Sequence, residues 1–198
     1  MNHVNSTIDY YNKNAVKYSN DTVNVDFSSA QERFISLLSQ NAYILDFGCG
    51  SGRDSKFFID NGFIVDAIDG SEELCKLAES YAGINVKCML FQEFEEKNKY
   101  DGIWACSSIL HLTKIELKKV FYRMIESLKN EGIIYTSFKY SDFEGERNGR
   151  YFIDFTETKF EEFIREIKGI NEIDKWISFD VRPNRENEKW LNLILKKS

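Results

Sequence analysis

The residues with the most chemical promise lie in two short stretches. One is Asp46-Phe47-Gly48-Cys49-Gly50-Ser51-Gly52. The other, whose acid stands 21 positions after the first glycine, is Asp69-Gly70-Ser71. Glycines at alternate positions remove Cβ atoms, so the backbone can turn tightly and touch a ligand. The amphipathic segment that begins at Arg53 brings the free N–H groups and positive dipole end of a helix to the same place. Asp69 closes a strand-like run, where a carboxylate can accept hydrogen bonds from both ribose hydroxyls, each worth about 1.5–3 kcal/mol.

The spacing argues against a pyrophosphate. The dinucleotide fingerprint is GxGxxG, and Arg53 stands where its third glycine belongs. Asp46 places a carboxylate two residues before the loop, which a pyrophosphate would meet unfavourably and a cationic ligand favourably. Further along, His111 can orient or deprotonate an acceptor, since its ordinary pKa is near neutral; as an alternative it supports the start of a helix. Lys139, Arg147 and Arg150 gather with Tyr140 and Tyr151, and Arg182 and Arg185 follow in the tail. These cations suit an anionic or polar acceptor. They could equally pair with Glu144, Glu146 and Asp154 on a solvated loop, and both readings stay open.

Elements that could position these groups can be read from the alternation of short apolar runs with helical periodicity. Strands are expected at Tyr43–Phe47, Phe63–Ile68, Asn85–Leu90, Gly102–Cys106 and Gly132–Phe138. Helices are expected near Arg53–Asp60, Glu72–Tyr81, Lys114–Leu128 and Glu157–Lys168, the last opened by Thr156. Ser71 reads as an N-cap; Gly62, Gly83 and Gly132 sit where a positive φ is useful near helix ends. Asp174–Val181 and Lys189–Leu195, joined by RPNRENE, leave no room for a crossover helix and predict an antiparallel hairpin. The fold class is therefore α/β, a doubly wound, mostly parallel sheet with helices on both faces and an antiparallel end. A helix at Ser28–Leu38 precedes it, and a polar lead with Tyr10, Tyr11 and Tyr18 could cover either a cleft or a sheet edge. The expected organisation is one domain over 1–198, with 1–27 as a lid or cover and 28–198 as the core.

A net charge of −6 makes broad electrostatic attachment to nucleic acid unfavourable. No apolar run approaches the roughly 18 residues of a membrane span, and the first residues have no signal-peptide pattern. The cytoplasm is the expected location. Cys49, Cys75, Cys88 and Cys106 form no CxxC pair and have no zinc-like spacing, so no metal is expected; Cys88 and Cys106 read as buried thiols.

The glycine loop with Asp69-Gly70-Ser71 resembles the class I S-adenosylmethionine-dependent methyltransferases over about residues 30–140. Through GCGSGRDS and SFKY…RYF the chain is similar to small bacterial tellurite-resistance and UbiE-like members. The resemblance implies a Rossmann-like seven-stranded sheet and S-adenosylmethionine as cofactor. It implies that Gly48, Cys49 and Gly50 pack on the methionine part, with Asp46 at its amino end and Arg53 close by. Asp69, Gly70 and Ser71 would serve the ribose, and Phe91 with Gln92 or Glu93 the adenine. The strand end Ala105–Ser108 would border the methyl group, with Ala105 and Cys106 touching the cofactor. A small-molecule acceptor is implied, with Lys139, Arg147, Arg150 and Arg182 as its binding candidates. Methyl transfer needs little beyond proximity and alignment, so a base need not exist; His111, Tyr11 and Tyr140 are the weak candidates. The alternatives are a non-catalytic cofactor-binding module acting through a partner and an NAD-dependent oxidoreductase. The oligomeric state is not encoded legibly.

Overall fold

The computed structural model describes residues 3–183 and 185–198. Residues 1 and 2 of the leading segment and Asn184 of the RPNRENE turn lie outside the described residues. Helices α1 (His3–Thr22) and α2 (Ser28–Ile35) precede β1 (Tyr43–Phe47), α3 (Arg53–Asp60), β2 (Ile64–Asp69), α4 (Glu72–Ala82) and β3 (Val86–Cys88). Then come β4 (Tyr100–Ala105), α5 (Lys114–Ser127) and β5 (Leu128–Lys139), followed by β6 (Glu144–Arg147), β7 (Arg150–Ile153), α6 (Glu157–Ile164), β8 (Ile170–Phe179) and β9 (Lys189–Lys197). Seven strands form one sheet in the order β3-β2-β1-β4-β5-β9-β8, while β6 and β7 pair separately. β1 through β5 run parallel, and β9 is antiparallel to both β5 and β8. The Rossmann-like α/β sheet and its antiparallel end stand as the sequence predicted.

Strand alternation explains why helices cover both faces. Leu45, Phe47, Ile103 and Phe138 point to one side, where Val120 and Phe121 of α5 and Phe163 of α6 meet them. Ile44, Trp104 and Tyr135 point to the other, against Phe34 of α2 and Phe58 of α3. There the Trp104 and Tyr135 rings stack at 3.9 Å. Strand order reverses between β1 and β4, which opens a crevice at the carboxyl ends of these strands.

Four expectations need correction. The polar lead is a 20-residue helix, α1; its inner positions are Thr7, Tyr11, Ala15, Tyr18 and Thr22, a helical spacing built from Thr and Tyr instead of aliphatic residues. The segment read as a loop after β5 is the β6–β7 hairpin, turned by Asn148 (φ 53°) and Gly149 (φ 75°), the pair a two-residue hairpin favours. The positive φ near residue 132 belongs to Glu131 (65°), with Gly132 inside β5. Cys88 is exposed, because β3 is a sheet edge, and Cys106 is only half-buried.

Candidate functional site

The glycine loop leaves β1 and turns over the end of β2, where the Gly48 and Cys49 N–H groups donate to the Ile68 carbonyl at 2.9 and 3.0 Å. Gly48 has φ +90°, and a Cβ there would lie 2.4 Å from Cβ of Ser108. Only glycine fits. Gly50 (φ +54°) faces the Tyr18 ring, 3.2 Å from where its Cβ would be. Asp69 accepts from the Gly50 N–H (2.9 Å) and the Ser71 N–H (2.8 Å), so it braces the loop and still has lone pairs for a ligand. Burial raises its pKa, and the backbone donors offset only part of that rise. Ser71 caps α4 as expected, accepting from the Leu74 N–H at 3.2 Å while donating to Asn12 Oδ1 of α1 at 2.7 Å.

Arg53 opens α3 and grips Asp54 with two bonds of 2.7 and 2.9 Å, its guanidinium 4.6 Å from the Phe27 ring centre. Asp54 also accepts from Gln31 (2.6 Å) and from the Trp104 indole (2.8 Å). Asp46 lies behind this pair, 1% exposed, and accepts the Ser55 hydroxyl at 2.6 Å. Burial, with the Asp54 charge adding to it, pushes the Asp46 pKa up to about 8.

Two cavities meet over the loop. The smaller, about 70 Å³, is lined by Asp69, Gly70, Leu90, Phe91, Gln92 and Ile8 among others. The larger, about 400 Å³, takes in Cys49, Arg53, Cys106 and Asn192 and a set of cationic side chains. Tyr11, Tyr18, Gly48, Gly50, Ser107 and His111 border both. Phe91 stacks on Phe47 at 4.6 Å and presents a flat edge to the smaller space. Burial pushes the Cys106 thiol up to about 12 and the Cys49 thiol well above its ordinary value. Neither is a thiolate near neutral pH.

At the divide, a chain of hydrogen bonds ties α1 to the body of the protein. His111 Nδ1 lies 2.6 Å from the Tyr151 carbonyl oxygen and its Nε2 lies 2.8 Å from the Tyr11 hydroxyl. A carbonyl only accepts, so Nδ1 carries the proton and Nε2 accepts from Tyr11. Burial, helped by the Arg150 and Lys139 charges, holds the His111 pKa down at about 4. Arg150 donates to the same Tyr11 oxygen at 3.3 Å. Burial raises the Tyr11 pKa against the opposing Arg150 charge, which leaves a neutral phenol beside a neutral imidazole.

The structure thus brings Gly48, Cys49, Gly50, Arg53, Asp69, Gly70, Phe91, Gln92, Cys106, Tyr11, His111, Lys139, Arg147, Arg150 and Arg182 to the walls of the two cavities. Five expected residues line neither. Asp46, Ser71 and Ala105 are buried behind the walls. The Glu93 carboxylate caps its own turn by accepting from the Leu90 N–H at 3.0 Å, which leaves Gln92 to face the cavity. Tyr140 packs on the core between the sheet and α5–α6. Sequence reasoning missed Asp54 and Asn192, while Ser107 and Ser108 line the walls at the strand end where they were expected. An acid in the first turn of a helix reads as dipole compensation, and the asparagine has no spacing of its own. Among the described residues no group of three or more His, Cys, Asp or Glu side chains could hold a metal ion, and no helix is long and apolar enough to cross a membrane.

Residues 44–132 match the family model described as a methyltransferase domain. In this part the chain is similar to that family. The chain is 34% identical over 126 residues to N-terminal Xaa-Pro-Lys N-methyltransferase 1 of Xenopus tropicalis, an alignment covering 56% of this chain and 56% of that protein. The chain therefore spans about half the length of the curated relatives it matches. Among solved structures, Burkholderia thailandensis 1,6-didemethyltoxoflavin-N1-methyltransferase, bound to 1,6-didemethyltoxoflavin and S-adenosylhomocysteine, superposes with a TM-score of 0.76 at 20% identity. That match covers 96% of this chain and 85% of that one. A TehB-like methyltransferase from Corynebacterium glutamicum gives 0.70 at 16% identity, covering 96% and 98%. The chain shares the Rossmann-like fold of these methyltransferases.

Proposed function

We propose that the chain binds S-adenosylmethionine across the glycine loop and transfers its methyl group to a small acceptor in the larger cavity. The observation that carries this reading is the meeting of two differently lined cavities over Gly48 and Gly50. Asp69 would take the ribose hydroxyls, and Phe91 and Gln92 the adenine. The bare loop would take the methionine part, where Cβ atoms at Gly48 and Gly50 would instead strike Ser108 and Tyr18. The bound sulfonium supplies an activated methyl group. The protein then needs to align an acceptor with it at the divide and exclude water. Tyr11 and Ser107 can hold an acceptor hydroxyl or amine there, and the neutral Nε2 of His111, reached through the Tyr11 hydroxyl, can take up a proton.

A nucleoside needs more room than about 70 Å³, since ligand pockets generally run to about 300–1,000 Å³. In the smaller cavity Ile8 of α1 sits against Gly70, 2.6 Å from where a Cβ would stand. Residues 3–27, the described part of the leading segment, are accordingly read as a lid that shifts to admit the cofactor. If removing residues 1–20 altered neither cofactor affinity nor turnover, the lid would be refuted. The larger cavity, about 400 Å³, suits a small molecule better than a folded surface. The free cysteines are in keeping with a reducing compartment such as the cytoplasm. The test is release of S-adenosylhomocysteine from S-adenosylmethionine across a panel of small amine, alcohol, thiol and carbon acids. Release with any acceptor, lost in Asp69→Ala, supports the proposal; cofactor binding without release on any of them favours a partner-dependent module.

A further inference from the structure

Six cationic side chains line the larger cavity: Arg53, Lys139, Arg147, Arg150, Arg182 and Arg185. Five have a carboxylate partner. Arg53 holds Asp54 at 2.7 Å, Arg147 holds Asp154 at 2.6 Å, Arg182 holds Asp180 at 2.5 Å, Arg185 meets Glu188 at 3.5 Å, and Lys139 also pairs with Glu188. Arg150 has none among the described residues. Its guanidinium lies 4.2 Å from the Tyr10 ring centre and 5.0 Å from that of Phe152, so aromatic faces supply its surroundings. Its Nη1 donates to Tyr11, and its Nε is shut off from solvent without a hydrogen-bond partner among the described residues.

A buried N–H without a partner is costly, and with Nε closed off it is the Nη end of the guanidinium, at the cavity wall, that can donate to a carboxylate. Glu188 serves both Lys139 and Arg185, so four carboxylates meet those five cations, while Arg150 has no carboxylate of its own among the described residues; its aromatic surroundings suit a weakly hydrated carboxylate better than a strongly hydrated phosphate. Arg150 and His111 Nε2 touch the same Tyr11 oxygen, at 3.3 and 2.8 Å. An anion on Arg150 therefore lies next to the divide where the two cavities meet.

We propose that the acceptor is a small carboxylic acid held through its carboxylate by Arg150, with its nucleophilic atom only a few bonds from that carboxylate. The Tyr11 oxygen, whose own proton goes to His111 Nε2, can accept from the O–H or N–H of the nucleophile. The proposal rests on the methyl-transfer reading above and narrows it to a substrate class.

Matched acid and amide probes test it: benzoate against benzamide, glycine against glycinamide, with inorganic phosphate as the competing anion. Each is titrated into the protein with and without saturating S-adenosylhomocysteine, for the wild type, Arg150→Gln and Arg150→Lys. The expected result is that acids bind at least about tenfold more tightly than their amides and than phosphate. Arg150→Gln should erase that ratio. Arg150→Lys, which keeps the charge and most of the packing but loses the fork, should keep part of it. Affinity for S-adenosylhomocysteine should stay within about twofold in both variants. Equal binding of acid and amide, no binding of either, or a preference for phosphate would overturn the proposal. So would a parallel loss of S-adenosylhomocysteine affinity in Arg150→Gln, because Arg150 would then serve the carboxylate of the cofactor. If wild-type protein failed to bind S-adenosylhomocysteine, the methyl-transfer reading would fall, while the acid–amide ratio without it would still report on Arg150.

Discussion

Replacing Asp46 by Asn should make the protein more stable at alkaline pH and leave it nearly unchanged in mild acid. Asp46 is buried, has the Ser55 hydroxyl as its hydrogen-bond donor, and shares its surroundings with the Asp54 carboxylate. Its pKa rises from 3.8 to about 8 in the folded protein. Between those values the native state holds a proton that the unfolded chain has released, so stability falls as pH rises through that window and is level outside it. Each unit of the window is worth about 1.4 kcal/mol, which amounts to several kcal/mol by pH 8.5. Asn keeps the size and one acceptor oxygen of the protonated acid and has no charge to bury, so the variant escapes this loss. For a protein of this length, 1 kcal/mol moves the melting temperature by about 2–4 °C, and a gap of several degrees or more is expected at pH 8.5. The assay is calorimetric melting of wild type and Asp46→Asn at pH 4.5, 6.5 and 8.5. His111 shifts in the opposite sense, losing stability as pH falls from 6.5 towards 4, but it is common to both proteins and cancels in the difference. A gap that stayed constant with pH, or closed at high pH, would refute this account of Asp46.

Other substitutions separate the parts of the site. Gly48→Ala should cost more than 2 kcal/mol, combining about 1–2 kcal/mol of left-handed backbone strain with a 2.4 Å clash on Ser108. Gly62→Ala, at φ +84° with nothing within 4 Å, should cost only the strain; equal melting temperatures for the two would contradict the close approach. Trp104→Phe removes the indole donor to Asp54 and should destabilise by about 1–3 kcal/mol beyond any packing loss, read from denaturant midpoints. Because His111 is held neutral down to about pH 4, turnover should show no His111 inflection between pH 5.5 and 8. An inflection near 6.5 that disappears in His111→Gln would show that the imidazole titrates as an ordinary histidine.

The sheet was legible because its strands are short aliphatic runs separated by helical periodicity, and the antiparallel end because RPNRENE is too short for a crossover. The glycine loop and Asp69 were legible for a related reason: few functions need bare backbone at a strand end with an acid at the end of the next strand. α1 was not, since a face of Thr7, Tyr11, Ala15, Tyr18 and Thr22 carries little apolar signal. The β6–β7 hairpin had its signature in Asn148-Gly149, but the surrounding cations drew attention to charge instead of turn geometry. Ion pairing across long sequence separations was the least visible. Only the fold brings Lys139 to Glu188 and leaves Arg150 among aromatic rings.

The central claim is that the crevice between β1 and β4 binds a sulfonium nucleoside, and calorimetric titration tests it most directly. The protein and its Asp69→Ala variant would be titrated with S-adenosylmethionine, S-adenosylhomocysteine and NAD. The account predicts micromolar binding of the first two, weakened by two orders of magnitude or more in the variant through loss of about 3 kcal/mol or more of ribose hydrogen bonding, and no binding of NAD. Binding of NAD in place of S-adenosylmethionine and S-adenosylhomocysteine, or binding of these two that ignores the loss of Asp69, would contradict it.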